Sequence, residues 1–223
     1  SLSYDYSVAR PTYQQLNNST SFVSDYVYKV GNPLLRSANV HKLGLVASLG
    51  KLKITASGRY SRNHLLTSYF PLEQADSVLA LRTFNLHIYK SLSLGAAYGF
   101  QVGAWRPTVE ASYSQQFITY QGRKFNKPLY SASIKNMVVL PKSTFVFFNI
   151  LYSSLAHDGL NTSHQQFRVD MNVSKALAKN KWNLNLAVTD LLSTYSNRKW
   201  MQTADVLNWS VGNNTVRKVE LTV

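Results

Sequence analysis

Between Phe84 and Val102 the even positions read Phe84, Leu86, Ile88, Lys90, Leu92, Leu94, Ala96, Tyr98, Phe100 and Val102, apolar but for Lys90. The odd positions are mostly polar or small: Asn85, His87, Ser91, Ser93, Gly95, Ala97, Gly99 and Gln101. A period of two held this long predicts one strand with an oily face and a wet face. Ordinary globular strands have about 5–6 residues. Strands of this length and regularity are those of outer-membrane barrels, apolar toward lipid and polar toward the lumen. Lys90, the exception, is expected where the strand projects beyond the bilayer.

The same alternation recurs along the chain. It predicts strands over 2–9 (Leu2, Tyr4, Tyr6 and Val8 on one face), 40–49 (Leu43, Leu45, Ala47, Leu49) and from Leu52 to Tyr60, where apolar residues oppose Lys53, Thr55, Ser57 and Arg59. Further strands follow at Val109–Phe117, Pro128–Leu140, Thr144–Ser154, Phe167–Ser174 and Trp182–Thr189, and a tenth runs to Val223. The connections alternate in length. Short ones are expected at 50–51, 103–107, 141–143 and 178–181, and long ones at 10–39, 62–77, 121–127, 156–163 and 191–214. Outer-membrane barrels pair short periplasmic turns with long extracellular loops. Trp105 and Trp182 follow short turns, while Tyr120, Tyr130, Tyr152 and Phe167 flank long loops, as interfacial aromatic belts require. The competing reading is a soluble β-sandwich or lipocalin-like barrel, with the oily face as a core.

Composition narrows the choice. Charged residues make up 15% of the 223 residues, against the ~25% usual in soluble domains. Tyr, Phe, Ser, Thr and Asn are abundant, which suits alternating strands better than amphipathic helices. No apolar run approaches the ~20 residues of a membrane helix. There is no Cys, so neither a disulfide framework nor a thiolate metal site exists. The five His residues show no ligand-like spacing, and neither metal nor cofactor is expected. The net charge of +14 is spread over expected turns and wet faces rather than gathered into a patch, so nucleic acid is not an expected partner. The chain opens and closes in mid-strand, which leads to the expectation that residues 1–223 are a portion of a longer barrel.

The segment Ala9-Arg10-Pro11-Thr12-Tyr13-Gln14-Gln15-Leu16-Asn17, followed by Gly31-Asn32-Pro33-Leu34-Leu35, resembles a motif of TonB-dependent outer-membrane receptors, above all their Bacteroidetes branch. Its residues are Arg10, Pro11, Leu16, Asn17, Gly31, Asn32, Pro33 and Leu35. Leu140-Pro141-Lys142, and Val173-Ser174-Lys175 through Leu186-Ala187-Val188-Thr189-Asp190-Leu191-Leu192, resemble the closing strands of that branch. The chain departs from it at Arg36-Ser37-Ala38, where the branch has a Pro-Glu pair, and in lacking a final aromatic residue. The resemblance implies an all-β, antiparallel transmembrane barrel of about 22 strands, with this chain supplying about the last ten. It also implies the outer membrane of a Gram-negative bacterium, surrounding outer-membrane lipid, a plug domain in the same full-length chain, TonB as energy source, and a small nutrient ligand such as an iron chelate, a vitamin or a glycan.

On that reading the chain is a barrel wall and not an enzyme. Lys42, Lys53, Arg59, Lys135, Arg168, Asp170 and Lys218 are expected to face the lumen, toward substrate or plug. Tyr195 and Trp200 are loop aromatics able to meet a ligand. An enzymatic barrel requires Asp and His gathered at the extracellular rim, for which His157, Asp158 and His164 are the local candidates. The alternatives are a non-transporting adhesin or assembly barrel and a soluble β-sandwich binding module.

Overall fold

The structure, a computed structural model, describes residues 1–72, 75–178, 181–203, 207–212 and 218–222. Lys179 and Asn180 of the fourth expected turn, and Val216, Arg217 and Val223 of the last strand, lie outside the described residues, as do Glu73, Gln74, 204–206 and 213–215. In chain order the elements are β1 (Leu2–Ala9), α1 (Tyr13–Leu16), β2 (Thr20–Ser24), β3 (Val27–Val30), β4 (Ala38–Leu49), β5 (Leu52–Leu72) and β6 (Ala75–Gly99). There follow β7 (Trp105–Phe117), β8 (Thr119–Tyr120), β9 (Arg123–Lys124), β10 (Leu129–Leu140), β11 (Thr144–Ser153), β12 (Ala156–Asp158) and β13 (Asn161–Ser163). The last are β14 (Gln166–Leu177), β15 (Trp182–Thr189), β16 (Asn197–Gln202), β17 (Leu207–Gly212) and β18 (Lys218–Thr222).

Ten of these strands form one antiparallel wall in the order β1-β4-β5-β6-β7-β10-β11-β14-β15-β18. Leu2, Leu45, Ala56, Leu94, Tyr113 and Tyr130 are successive partners across its first six strands. All lie on one face. Leu2, Leu45, Leu94 and Tyr130 are exposed, as are Leu43, Leu49, Ile54, Leu92, Tyr98, Val109, Ile134, Phe148, Leu184 and Leu186. No second layer covers that face among the described residues, which excludes the β-sandwich. An apolar surface this broad far exceeds the few hundred Å² tolerated in water; it needs hydrocarbon. Trp105, Trp182, Tyr130, Tyr152 and Phe167 sit on this oily face near the strand ends, as expected of belts.

The four short connections lie at one end of the wall. The long connections meet at the other end and build a cap, so several stretches expected to be irregular are ordered. The expected loop at 62–77 is instead the upper part of one long hairpin, since β5 and β6 stay paired from Leu52↔Tyr98 to Pro71↔Leu79. The alternation that would betray it stops at Asn63, whose φ is 53°. Beyond that point both faces pack against protein, so Leu65 and Leu66 stand side by side. The strand expected over 84–102 correspondingly runs over 75–99, with 100–104 as its turn. Leu86, expected to face lipid, is buried in the cap with Ile118, Phe125, Leu160 and Met201, and Leu66, Phe84 and Tyr120 pack on them. Tyr120 is thus a core residue of the cap rather than a belt residue. The loops at 156–163 and 191–214 contribute β12, β13, β16 and β17 to one four-stranded sheet, and 119–124 holds the β8–β9 pair.

The irregular stretch expected over 10–39 also carries structure. Thr12 and Gln15 close a capping box on α1, and β2 and β3 form a hairpin whose β3 runs parallel to the upper part of β6. The Gly-Asn-Pro element holds this segment down. A methyl at Gly31 would sit 1.6 Å from the Asn17 carbonyl oxygen, so only glycine fits. The Asn32 side-chain amide donates to the Thr83 carbonyl (3.0 Å), its Oδ1 accepts from the Leu34 N–H (3.1 Å), and its own N–H donates to the Gln15 carbonyl (2.6 Å). Leu35 is buried, whereas Arg10 is exposed.

Candidate functional site

The face of the wall opposite the oily one carries the expected polar residues, because each strand alternates and the register keeps the sides in step. Lys42, Lys53, Arg59, Lys135, Arg168, Asp170 and Lys218 all lie on it, distributed over β4, β5, β10, β14 and β18. Most are paired. Lys42 lies 3.8 Å from Asp5, and Lys218 lies 2.7 Å from Glu220. Lys135 Nζ donates to Glu110 Oε1 (2.8 Å) while Ser133 Oγ donates to Oε2 (3.1 Å). Arg168 Nε lies 3.0 Å from Asp170 Oδ2, an ion pair by distance that is not aligned as a hydrogen bond. The exposed pairs, those of Lys42, Lys135 and Lys218, stabilise by about 0–1 kcal/mol each, so they set the charge pattern more than the stability. The Arg59 guanidinium lies 5.6 Å from the Tyr89 ring centre, with its Nε buried and without a hydrogen-bond partner.

Of these residues, Lys135 and Arg168 come together in one recess. A cavity of about 440 Å³ opens on the polar face, lined by Glu110, Ser131, Lys135, Gln166, Arg168 and Tyr195 among others. A second, of about 560 Å³, lies toward the cap against Tyr89, Gln116, His157, His164 and Lys199. Ser153, Gln166 and Tyr195 line both, so the two form one trough from the wall into the cap. Ser112, Ser114, Ser131 and Ser153, one face of three adjacent strands, give its floor a low hydroxyl surface. That period was readable in the sequence; the convergence on Tyr195 was not.

Tyr195 is positioned by Asp190, the buried residue at the end of β15. The Asp190 carboxylate accepts the N–H of Thr194 (3.0 Å) and of Tyr195 (3.2 Å), and its own N–H donates to Asp170 Oδ1 (3.0 Å). Thr194 Oγ1 donates to the Phe167 carbonyl (2.8 Å). The Tyr195 ring then stands 5.7 Å from the Arg168 guanidinium. Trp200 lines neither cavity of the trough; it lies on β16 near the His164 ring.

His157, Asp158 and His164 do share the upper cavity, but their bonds go elsewhere. His157 Nδ1 accepts the Lys127 N–H (2.9 Å), Asp158 lies 3.7 Å from Lys199, and His164 Nδ1 contacts the Gln165 carbonyl (2.9 Å). Among the described residues neither histidine here is hydrogen-bonded to a carboxylate, the arrangement that a Ser-His-Asp triad uses. Burial, and then the Lys127 charge, hold His157 below the usual histidine range. A depressed histidine stabilises the fold above its unfolded value near 6.5, and this contribution is lost as pH falls through the lower folded value. Protonation also removes the lone pair that accepts the Lys127 N–H. Lowering pH from about 7 to 5 is therefore expected to speed hydrogen exchange at the Lys127 amide, and His157→Gln to abolish that pH dependence. A Lys127 amide whose exchange follows only the intrinsic pH trend would refute the linkage.

An all-antiparallel wall, bare and apolar on one face, polar and recessed on the other, agrees with the comparison of the chain against known families. The Outer membrane protein beta-barrel family matches residues 1–223. The chain belongs to that family. Among curated proteins, none matches it. As a member of the outer membrane protein beta-barrel family the chain resides in the outer membrane. Its oily face meets lipid, its polar face is the lumen side, its short turns are periplasmic and its cap is extracellular.

Proposed function

We propose that the chain is part of the barrel wall of a TonB-dependent receptor that imports a small nutrient. The observation that carries this reading is the trough, a continuous polar recess on the lumen side that runs from Glu110 and Lys135 up to His157, His164 and Lys199 in the extracellular cap. A nutrient captured at the cap meets Tyr195, Arg168 and the serine floor on its way inward. The resemblance of residues 9–35 to receptors of this kind supports the same reading. On this reading the chain performs no catalysis, a plug domain of the full-length protein fills the lumen against the polar face, and TonB provides the energy.

The test is binding of the purified periplasmic domain of TonB to the full-length protein in detergent, followed by size-exclusion chromatography. A co-eluting complex supports the receptor reading. Separate elution under all ionic strengths tried removes it and leaves an outer-membrane barrel of another kind.

A further inference from the structure

Lys90 breaks the longest apolar run in the chain, and the register shows what it joins. Tyr6, His41, Tyr60, Lys90 and Phe117 are successive cross-strand partners over β1, β4, β5, β6 and β7, all on the oily side of the wall. The row nearer the periplasm is Tyr4, Leu43, Gly58, Leu92 and Gln115, and the next is Leu2, Leu45, Ala56, Leu94 and Tyr113. One row further toward the cap stand Val8, Asn39, Arg62 and Ile88. On β5 and β6 the outward face thus passes from Ala56 and Leu94, through Tyr60 and Lys90, to Arg62 within a few rungs. A lysine directed at lipid costs about 2–4 kcal/mol at the midplane and about 0–1 near the interface, so this row marks the extracellular boundary of the hydrocarbon.

The cations there are held by aromatic groups, and neither is in an ion pair among the described residues. Arg62 Nε donates to the Tyr60 hydroxyl (3.0 Å), and Lys90 Nζ lies 6.0 Å from the centre of the same ring. On the other side of Tyr60, His41 Nδ1 is hydrogen-bonded to the Tyr4 hydroxyl (2.8 Å), and Tyr6 donates to Asn39 Oδ1 (3.2 Å). Tyr4, Tyr6, Asn39, His41, Tyr60 and Arg62 enclose an open recess of about 530 Å³. None of the outward positions in these rows holds Asp or Glu. Directly beneath Tyr60 the outward residue is Gly58, and nothing lies within 4 Å of where its side chain would stand. The surface therefore offers two cations with free hydrogen-bonding capacity at headgroup height and a shallow furrow on the hydrocarbon side.

We propose that this patch binds the phosphate of a phosphorylated lipid of the outer leaflet, with Arg62 and Lys90 on the phosphate and an acyl chain in the furrow over Gly58. Charge complementarity selects the anion: two cations without acidic partners attract a net-anionic phosphate most, gain less from a zwitterionic headgroup whose own ammonium competes with them, and least from a neutral one. The tyrosines add hydroxyls for sugar or phosphate oxygens. The site faces the membrane and not the lumen, so it is independent of what the barrel transports.

The experiment uses the full-length protein in nanodiscs of zwitterionic phospholipid, doped with either a phosphorylated outer-leaflet glycolipid or its dephosphorylated form. Retained glycolipid is counted by native mass spectrometry after transfer to detergent. At about 1 kcal/mol per surface cation, converted by RT, the double variant Arg62→Gln/Lys90→Gln should retain the phosphorylated lipid about 30-fold less well. The single variant Lys90→Gln should retain it about fivefold less well, and it serves if the double variant fails to insert. Lys53→Gln, a change to a lumen-side cation, should leave retention unchanged. Equal retention of the phosphorylated and dephosphorylated lipids, or full retention by Lys90→Gln, would overturn the proposal. Neither outcome bears on TonB binding.

Discussion

Leu94→Lys is expected to lower the unfolding free energy of the full-length protein in lipid vesicles by about 2–4 kcal/mol. Leu94 is exposed on the oily face, between Ala56 and Tyr113 in the register and two outward positions below Lys90 on β6. An ammonium there cannot reach water without deforming the bilayer or straining its own side chain. Ser57→Lys is the matched control. Ser57 stands opposite Ser93 on the neighbouring strand, on the lumen side, where a lysine stays hydrated; its effect should stay within about 0.5 kcal/mol. The measurement is the urea midpoint of each variant, with the slope checked for constancy. Equal shifts for the two lysines would mean that the apolar face is not in contact with lipid.

The second large effect is expected in the cap. Leu160 is 2% exposed and packs with Leu86, Ile118, Phe125 and Met201. Leu160→Ala removes three carbons from a true protein core, at a cost of about 2–5 kcal/mol. The loss should be local, because the cap joins the wall through β5, β6 and their neighbours while the lower rungs of the wall depend on lipid. Hydrogen exchange should quicken in β12, β13 and β16 and remain slow in β10, β11 and β14. Uniform acceleration across all of these strands would show that cap and wall unfold as one unit.

The contrast between those two sites explains what the sequence disclosed. A strand with lipid on one side and water on the other must alternate, so the ten wall strands, their faces and the short turns at one end were legible from spacing alone. Leu86, Leu66 and Leu160 obey a different rule. They pack against protein from several directions; Leu86 keeps the even spacing of its strand although it turns into the cap, while around Leu66 and Leu160 the period of two is lost. Hence the upper hairpin of β5 and β6, the four-stranded cap sheet and the β2–β3 hairpin were missed. The site followed the same division. The polar face could be named residue by residue from parity, including Lys135 and Arg168. Tyr195 as the shared wall of both cavities could not, because its place is set by Asp190 and Asp170, twenty residues apart in sequence and joined by a bond that no periodicity records.

Among the described pairings β3 with β6 is the parallel one, Val27 opposite Leu79 through Val30 opposite Arg82, and it spans a long stretch of chain. Wall pairs such as β4–β5, β6–β7, β10–β11 and β14–β15 can zip from short hairpins, but this one has no register to adopt until β6 already stands beside β5. Distant contacts of this sort form late. The segment that Gly31 and Asn32 fasten to Thr83 is therefore a clasp closed after the wall is raised. By the same logic it is the first part able to swing free while the strands in the membrane stay joined.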